Sequence, residues 1–210
     1  MGLLSFLWTD RSEVFTLTAE HLWMVGISML LAVVIGVPLG ILIARKPSFQ
    51  KSVLGSANVM ETIPSLALFG LLLPLPWLGS RADRLAILAL TLYALLPIIR
   101  NTYAGITGID PSIVEAGRGM GMTDWQLLYQ LQLPLSLSVI IAGVRVATVI
   151  SVGVATIAAA IGAGGLGEFI FRGLSMVNDN LILAGAIPAA IMALVADVAL
   201  GQLERLLRRG

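Results

Sequence analysis

Long apolar runs alternate with shorter polar segments along this chain of 210 residues. A helix that crosses the hydrocarbon core of a bilayer needs about 20 mostly apolar residues. Five segments meet or approach that requirement, namely residues 22–44, 53–78, 85–103, 135–161 and 181–203. The pattern therefore predicts an all-α membrane protein with about five transmembrane helices.

The second of these segments, residues 53–78, is less regular than the others. It contains Glu61 and three prolines, Pro64, Pro74 and Pro76. Proline has no backbone N–H and kinks or ends a helix. We therefore expect a kinked helix followed by a short re-entrant or interfacial piece, and six spans if the region splits.

The composition agrees with a membrane location. Of the residues, 58% are hydrophobic and 12% are charged, and the mean hydropathy is +0.96. Soluble domains carry about 25% charged residues, so a water-soluble globule is excluded. The chain has no cysteine, which excludes disulfides and cysteine-ligated metals, and its net charge of +1 does not suggest a nucleic-acid partner. The first apolar run is too long for a signal-peptide core and is expected to be retained.

Positive charges predict the orientation, because the cytoplasmic side of a membrane protein carries an excess of Lys and Arg. With five spans, the side of the C-terminus holds eight of them: Arg45, Lys46, Lys51, Arg100, Arg118, Arg205, Arg208 and Arg209. The opposite side holds four, Arg11, Arg81, Arg84 and Arg172. We expect the N-terminus outside, the C-terminus inside and the polar segment 101–134 in the cytoplasm.

This polar segment has the features of two short helices joined by a bend. Pro111 suits the first turn of a helix, and Thr123 and Asp124 provide a second capping signal. The bend between them is rich in glycine, at Gly117, Gly119 and Gly121. Pro134 is expected to close the segment before the fourth span.

The spacing resembles the EAA loop of binding-protein-dependent ATP-binding-cassette importers, which reads Glu-Ala-Ala, three residues, Gly, nine residues, Ile-x-Leu-Pro. The matching positions are Glu115, Ala116, Gly117, Gly121, Leu131, Leu133 and Pro134. Gly117 replaces an alanine and Leu131 an isoleucine. In that family the loop forms a coupling helix that docks into a groove on the ATPase. The resemblance implies a coupling loop at about residues 104–134, within which we call residues 111–134 the EAA-like segment.

Three further stretches, residues 62–68, 90–103 and 162–167, resemble the osmoprotectant branch of the same family, which imports glycine betaine, choline and carnitine. The resemblance covers about residues 20–205. It implies a single permease domain over residues 1–210, similar to type I importers, in a bacterial or archaeal cytoplasmic (inner) membrane.

The implied partners are an ATPase dimer that carries ATP and Mg, a second permease copy or homologue, and an extracytoplasmic binding protein. This chain itself is expected to be neither an enzyme nor a holder of a cofactor or metal. An amino acid such as methionine is the alternative substrate, and an ATPase-independent secondary transporter is the alternative mechanism.

Three charged residues fall within predicted spans: Glu61, Arg145 and Asp197. A charge at mid-span costs about 2.5–3.5 kcal/mol on insertion scales and is a functional candidate by default. All three are expected at similar depth, so either Glu61 or Asp197 can pair with Arg145. In the alternative interpretation, one acid faces the pathway and senses a cationic substrate. Tyr93 is a further candidate for lining a path.

The remaining candidates lie near the predicted outer surface. Gly162, Gly164, Gly165 and Gly167 are expected to form an outer turn near the mouth of the pathway rather than a nucleotide site, because they follow a membrane span. His21, the single histidine of the chain, is expected to be polar surface.

Overall fold

The computed structural model describes residues 10–75 and 81–208, which are helical apart from short connections. The helices are α1 (Arg11–Arg45), α2 (Gln50–Thr62), α3 (Ser65–Leu72), α4 (Ala82–Thr107), α5 (Pro111–Gly119), α6 (Asp124–Ile161), α7 (Gly167–Met176) and α8 (Asp179–Arg208). A 3₁₀ turn, Pro47–Phe49, links α1 to α2. Within α6, residues Leu127–Gln132 are π-helical and Ala159–Ile161 form a final 3₁₀ turn.

Four of these helices, α1, α4, α6 and α8, are long and apolar enough to cross a membrane. They contain four of the five predicted spans, and the all-α membrane fold is confirmed. The remaining span, residues 53–78, is divided between α2 and α3, and its last residues, 76–78, lie outside the described residues.

The division falls at Ile63 and Pro64, which have extended backbone, with ψ of 125° and 137°. The ring of a proline disfavours helical geometry in the residue before it, so Pro64 drives Ile63 out of the helix. The expected kink is therefore a complete break.

Helix α4 lies at the centre of the bundle. In its most apolar window 61% of the residues are buried, against 33%, 28% and 22% in α1, α6 and α8. Helices α1 and α6 flank it, and α8 packs on α6 and α7. The buried residues Ala86, Ala89 and Ala94 of α4 are small, which lets the neighbouring helices approach closely.

Glycines on the flanking helices complete this close packing. On α1, Gly36 and Gly40 are four residues apart and lie against α4; a Cβ on Gly40 would be 2.5 Å from the Cβ of Thr102. On α6, a Cβ on Gly143 would be 2.5 Å from the Cβ of Asn101 and 2.9 Å from the carbonyl oxygen of Pro97. Small residues at such contacts are typical of helix association in lipid.

We expect Gly143→Ala to destabilise the fold, because the added methyl group meets backbone that cannot move aside. Overpacking costs about 1–3 kcal/mol. Gly26→Ala is the control, since a Cβ there meets no atom within 4 Å. That change should be neutral or stabilise α1 by up to about 1 kcal/mol. Thermal unfolding midpoints of the two purified variants test this, and equal midpoints would contradict the packing.

Candidate functional site

The EAA-like segment begins with a capped helix. Asp110 lies just before α5, and its Oδ1 accepts a hydrogen bond from the backbone N–H of Ser112 at 2.9 Å. This bond holds the pKa of the Asp110 carboxyl below its ordinary value. Pro111 takes the first helical position, as the sequence predicts. Asp110 was not singled out from the sequence, although an Asp directly before such a proline is a recognisable cap.

The bend after α5 depends on Gly121. Its φ is +84°, a left-handed conformation that glycine adopts without strain. The N–H of Gly121 donates to the carbonyl of Arg118 at 2.9 Å, and the N–H of Met122 donates to that of Gly117 at 3.1 Å. These two bonds form a Schellman motif, which ends α5 and reverses the chain.

Gly117 is the point at which the two arms of the segment touch. It is buried, and a Cβ there would be 2.7 Å from Leu127 Cδ2 and 3.6 Å from Leu131 Cδ1. The structure therefore brings Gly117 and Leu131 together. Glu115 and Ala116, by contrast, are exposed on the outer face of α5.

The second arm is attached to α1 as well as to α5. Thr123 and Gln126 form a capping box at its start. Arg45, at the end of α1, donates to the backbone carbonyl of Asp124, and its guanidinium lies 5.3 Å from the ring centroid of Trp125. Trp125 in turn stacks on Tyr129 with centroids 5.6 Å apart. Sequence spacing gave no signal for these contacts, because Arg45 is far from the segment along the chain.

Pro134 does not close the segment, contrary to the sequence-based expectation. The second arm continues through Leu133 and Pro134 into the fourth span as one helix, α6. Proline cannot donate the N–H that the helix requires. The preceding residues are π-helical, and the N–H of Leu133 donates to the carbonyl of Leu128, five residues back. This local widening lets the helix pass the proline unbroken.

Arg145 of α6 is the centre of a charge cluster with two acids of α8. Its guanidinium forms two hydrogen bonds with Asp197 of α8, at 2.6 and 2.9 Å, and one with Glu204, at 3.4 Å. Gly201 lies between the two acids along α8, and a Cβ there would be 3.2 Å from Arg145 Nη1, so glycine leaves room for the guanidinium. Glu61 is not part of the cluster. Glu204 was missed because it lies at the end of the last apolar run.

The glycine turn lies between α6 and α7. Gly162, Gly164 and Gly165 all have positive φ. The N–H of Gly165 donates to Oε2 of Glu20 on α1 at 3.1 Å, and a Cβ on Gly167 would be 2.0 Å from the carbonyl oxygen of Thr156. The glycines thus let the chain fold tightly onto α1 and α6.

His21 is fully buried, so the expectation that it is polar surface is wrong. Its Nε2 donates to the carbonyl of Val152 on α6 at 3.2 Å, and Nδ1 has no partner among the described residues. The reason is the glycine turn, which places Gly165 directly over the imidazole. The sequence shows no sign of this cover.

Tyr93 is buried in α4 rather than open to a path. Its hydroxyl donates to the carbonyl of Ile63, at the break between α2 and α3. This bond satisfies a backbone carbonyl that the break removes from helical pairing. Tyr93 therefore supports the break.

We expect Arg145→Met to lower the yield of folded protein, because Asp197 and Glu204 then lose their cation within the membrane domain. The double variant Arg145→Met/Asp197→Leu should recover part of the yield, since one unpaired charge is removed. Gel filtration of detergent extracts measures this. Arg172→Met is the control: Arg172 of α7 pairs with Glu13 in the first turn of α1 at 2.8 Å, outside the predicted spans, where ion pairs contribute little. A double variant that is worse than the single one would contradict the assignment.

Comparison with known proteins places this architecture among transport permeases. The carnitine transport permease protein OpuCB of Listeria monocytogenes is 44% identical, over 97% of this chain and 92% of its own length. The glycine betaine/carnitine/choline transport system permease protein OpuCD of Bacillus subtilis (strain 168) is 48% identical, over 90% of this chain and 81% of its own.

Among solved structures, an inward-facing form of the MetNI methionine ABC transporter superposes with a TM-score of 0.84 at 24% identity, covering 97% of this chain and 98% of that one. At this identity the likeness concerns the fold. The family described as "Binding-protein-dependent transport system inner membrane component" matches residues 36–209. Together with the EAA-like segment and the bundle of long apolar helices, this match shows that the chain belongs to that family and is a membrane-spanning permease of an ATP-binding-cassette importer.

Proposed function

We propose that this permease imports quaternary ammonium osmoprotectants such as glycine betaine, carnitine and choline. The observation that carries the proposal is the identity of 39–48% to permeases named for these compounds, over 90% or more of this chain. Methionine is not favoured, because the likeness to the methionine transporter is one of fold at 24% identity.

The EAA-like segment suits the proposed docking surface for a partner ATPase. Met120, Trp125 and Tyr129 are 76%, 63% and 60% exposed and lie before the apolar run 135–161. Large apolar side chains exposed in one short segment favour a protein partner. Glu115 and Ala116 lie exposed on the same segment. In this proposal the ATPase dimer binds ATP and Mg and hydrolyses the nucleotide, and this chain receives the motion.

The packing of the segment supports direct transmission of that motion. Gly117 holds α5 against Leu127 and Leu131 at the start of α6. Helix α6 then runs unbroken for 38 residues, which at 1.5 Å per residue is about 57 Å. Its far end meets the glycine turn. A displacement of the segment therefore moves a helix that reaches across the whole membrane.

The other proposed partners follow from the same arrangement. A second copy or a homologue completes the pathway, since one such bundle does not enclose a central axis. The charge distribution favours the EAA-like segment in the cytoplasm, with the N-terminus outside. The glycine turn is then at the outer face of the inner membrane, where an extracytoplasmic binding protein delivers substrate.

We expect Gly121→Val to uncouple ATP hydrolysis from uptake. A left-handed conformation costs an L-residue about 1–2 kcal/mol, which shifts the population of the native bend by about 5- to 30-fold. Gly121→Asn is the matched control, because asparagine tolerates this conformation, and a Cβ there meets no atom within 4 Å. Uptake per ATP hydrolysed should fall for valine and stay near wild type for asparagine. Equal loss in both variants would mean that bulk, and not the bend, matters.

The substrate is tested by ATPase activity of the complete complex in nanodiscs, with and without loaded binding protein. We expect binding protein loaded with glycine betaine, carnitine or choline to stimulate hydrolysis. Stimulation by methionine-loaded protein alone would refute the osmoprotectant assignment and retain the permease. Failure of the chain to co-purify with its ATPase would refute the docking proposal.

A further inference from the structure

Glu61 differs from Asp197, the other acid within a predicted span, because it has no partner among the described residues. Within residues 10–75 and 81–208 its carboxylate forms no hydrogen bond or ion pair, and its side chain is exposed. Asp197 and Glu204, in contrast, share Arg145. The cation on the adjoining helix, Arg100, donates to the amide oxygen of Asn58 at 2.6 Å. Arg100 is thus bonded to the neutral amide of Asn58 and forms no ion pair with Glu61.

The contacts of α2 with α4 place Glu61 deep in the membrane domain. Ile63 is bonded to Tyr93, which is 11 residues from one end of α4 and 14 from the other. Asn58 is bonded to Arg100, seven residues further along α4. Glu61 lies between these two levels, which are about 10 Å apart at 1.5 Å per residue. It is therefore close to the middle of the span and not at its end.

Two independent features make contact of this stretch with lipid unfavourable. An unpaired carboxylate is costly in hydrocarbon. The backbone is also non-helical at Ile63 and Pro64, and the first helical bond of α3 is from Leu68 to Pro64. The N–H groups before Leu68 in α3 therefore have no helical acceptor. Such backbone is tolerated at membrane depth only inside protein or beside a water-filled cavity.

We propose that the break between α2 and α3 lines the aqueous pathway, and that Glu61 faces the ammonium group of the substrate as it passes. The second part rests on the osmoprotectant assignment. A quaternary ammonium has no N–H to donate, so a carboxylate attracts it by charge alone. A single contact of this kind is weak enough to release the substrate, as conduction requires. Tyr93 bonds to the carbonyl of Ile63 at the break, two residues from Glu61 in the chain.

The first experiment uses the absence of cysteine from the chain. Glu61→Cys and the control Ala94→Cys are assembled into the complete transporter and treated with trimethylammonium-ethyl methanethiosulfonate, with labelling of this chain read by mass spectrometry. Ala94 is fully buried in α4, next to the level of Tyr93. We expect the Glu61→Cys variant to react about tenfold faster or more, because a thiol in apolar surroundings forms little thiolate. Equal, slow labelling of both variants would overturn the pathway assignment.

The second experiment measures uptake of choline and glycine betaine by Glu61→Gln and Glu61→Asp, with complex assembly checked by gel filtration. We expect about tenfold slower uptake or more for glutamine, since the charge attraction is lost, and rescue by aspartate. Wild-type uptake by an assembled Glu61→Gln complex would overturn the substrate contact. If the wild-type complex imports neither compound, the osmoprotectant assignment fails, while the labelling still decides whether Glu61 lines the pathway.

Discussion

Backbone N–H and carbonyl groups in a bilayer have no water to bond with, so each must find its partner within the protein. The long helices α1, α4, α6 and α8 meet this constraint internally. Where helical hydrogen bonds are interrupted, a local hydrogen bond or a change of helix type compensates. Tyr93 bonds the freed carbonyl of Ile63 at the break, and the π-helical turns before Pro134 let α6 pass its proline. The positive-φ glycines lie in the turns that connect helices.

Close helix packing is the second requirement, and it depends on the absence of side chains at the glycine positions where helices touch. Glycines at positions 36, 40 and 143 bring α1 and α6 against α4. Gly201 leaves space for the guanidinium of Arg145 between Asp197 and Glu204. At Gly40 and Gly143 a methyl group would clash with α4, and at Gly201 it would press on the Arg145 guanidinium. The high glycine content thus serves contact between helices more than flexibility.

The sequence predicted features that depend on local order and missed those that depend on distant contacts. Apolar length located the four long spans, and Pro64 located the irregularity in the remaining one. The EAA spacing located the segment between α4 and α6. The partner of Arg145 could not be chosen, because Glu61 and Asp197 are equally deep and only helix adjacency separates them. The burial of His21 likewise depends on a turn more than 140 residues away.

Helix α1 is bonded to α6 at two well-separated places. Arg45, the last residue of α1, contacts Asp124 and Trp125, and His21 bonds to the carbonyl of Val152. These two contacts are about 24 residues apart along α1, and the two helices are antiparallel. Neither helix can slide along the other without breaking both contacts. Sliding between α1 and α6 is thereby suppressed, and the two helices tilt together as a rigid unit. A change of angle between the inner and outer openings of the pathway then requires movement of helices outside this pair. The joint between α2 and α3 at Ile63 and Pro64 is already non-helical, so it is the easiest place to bend.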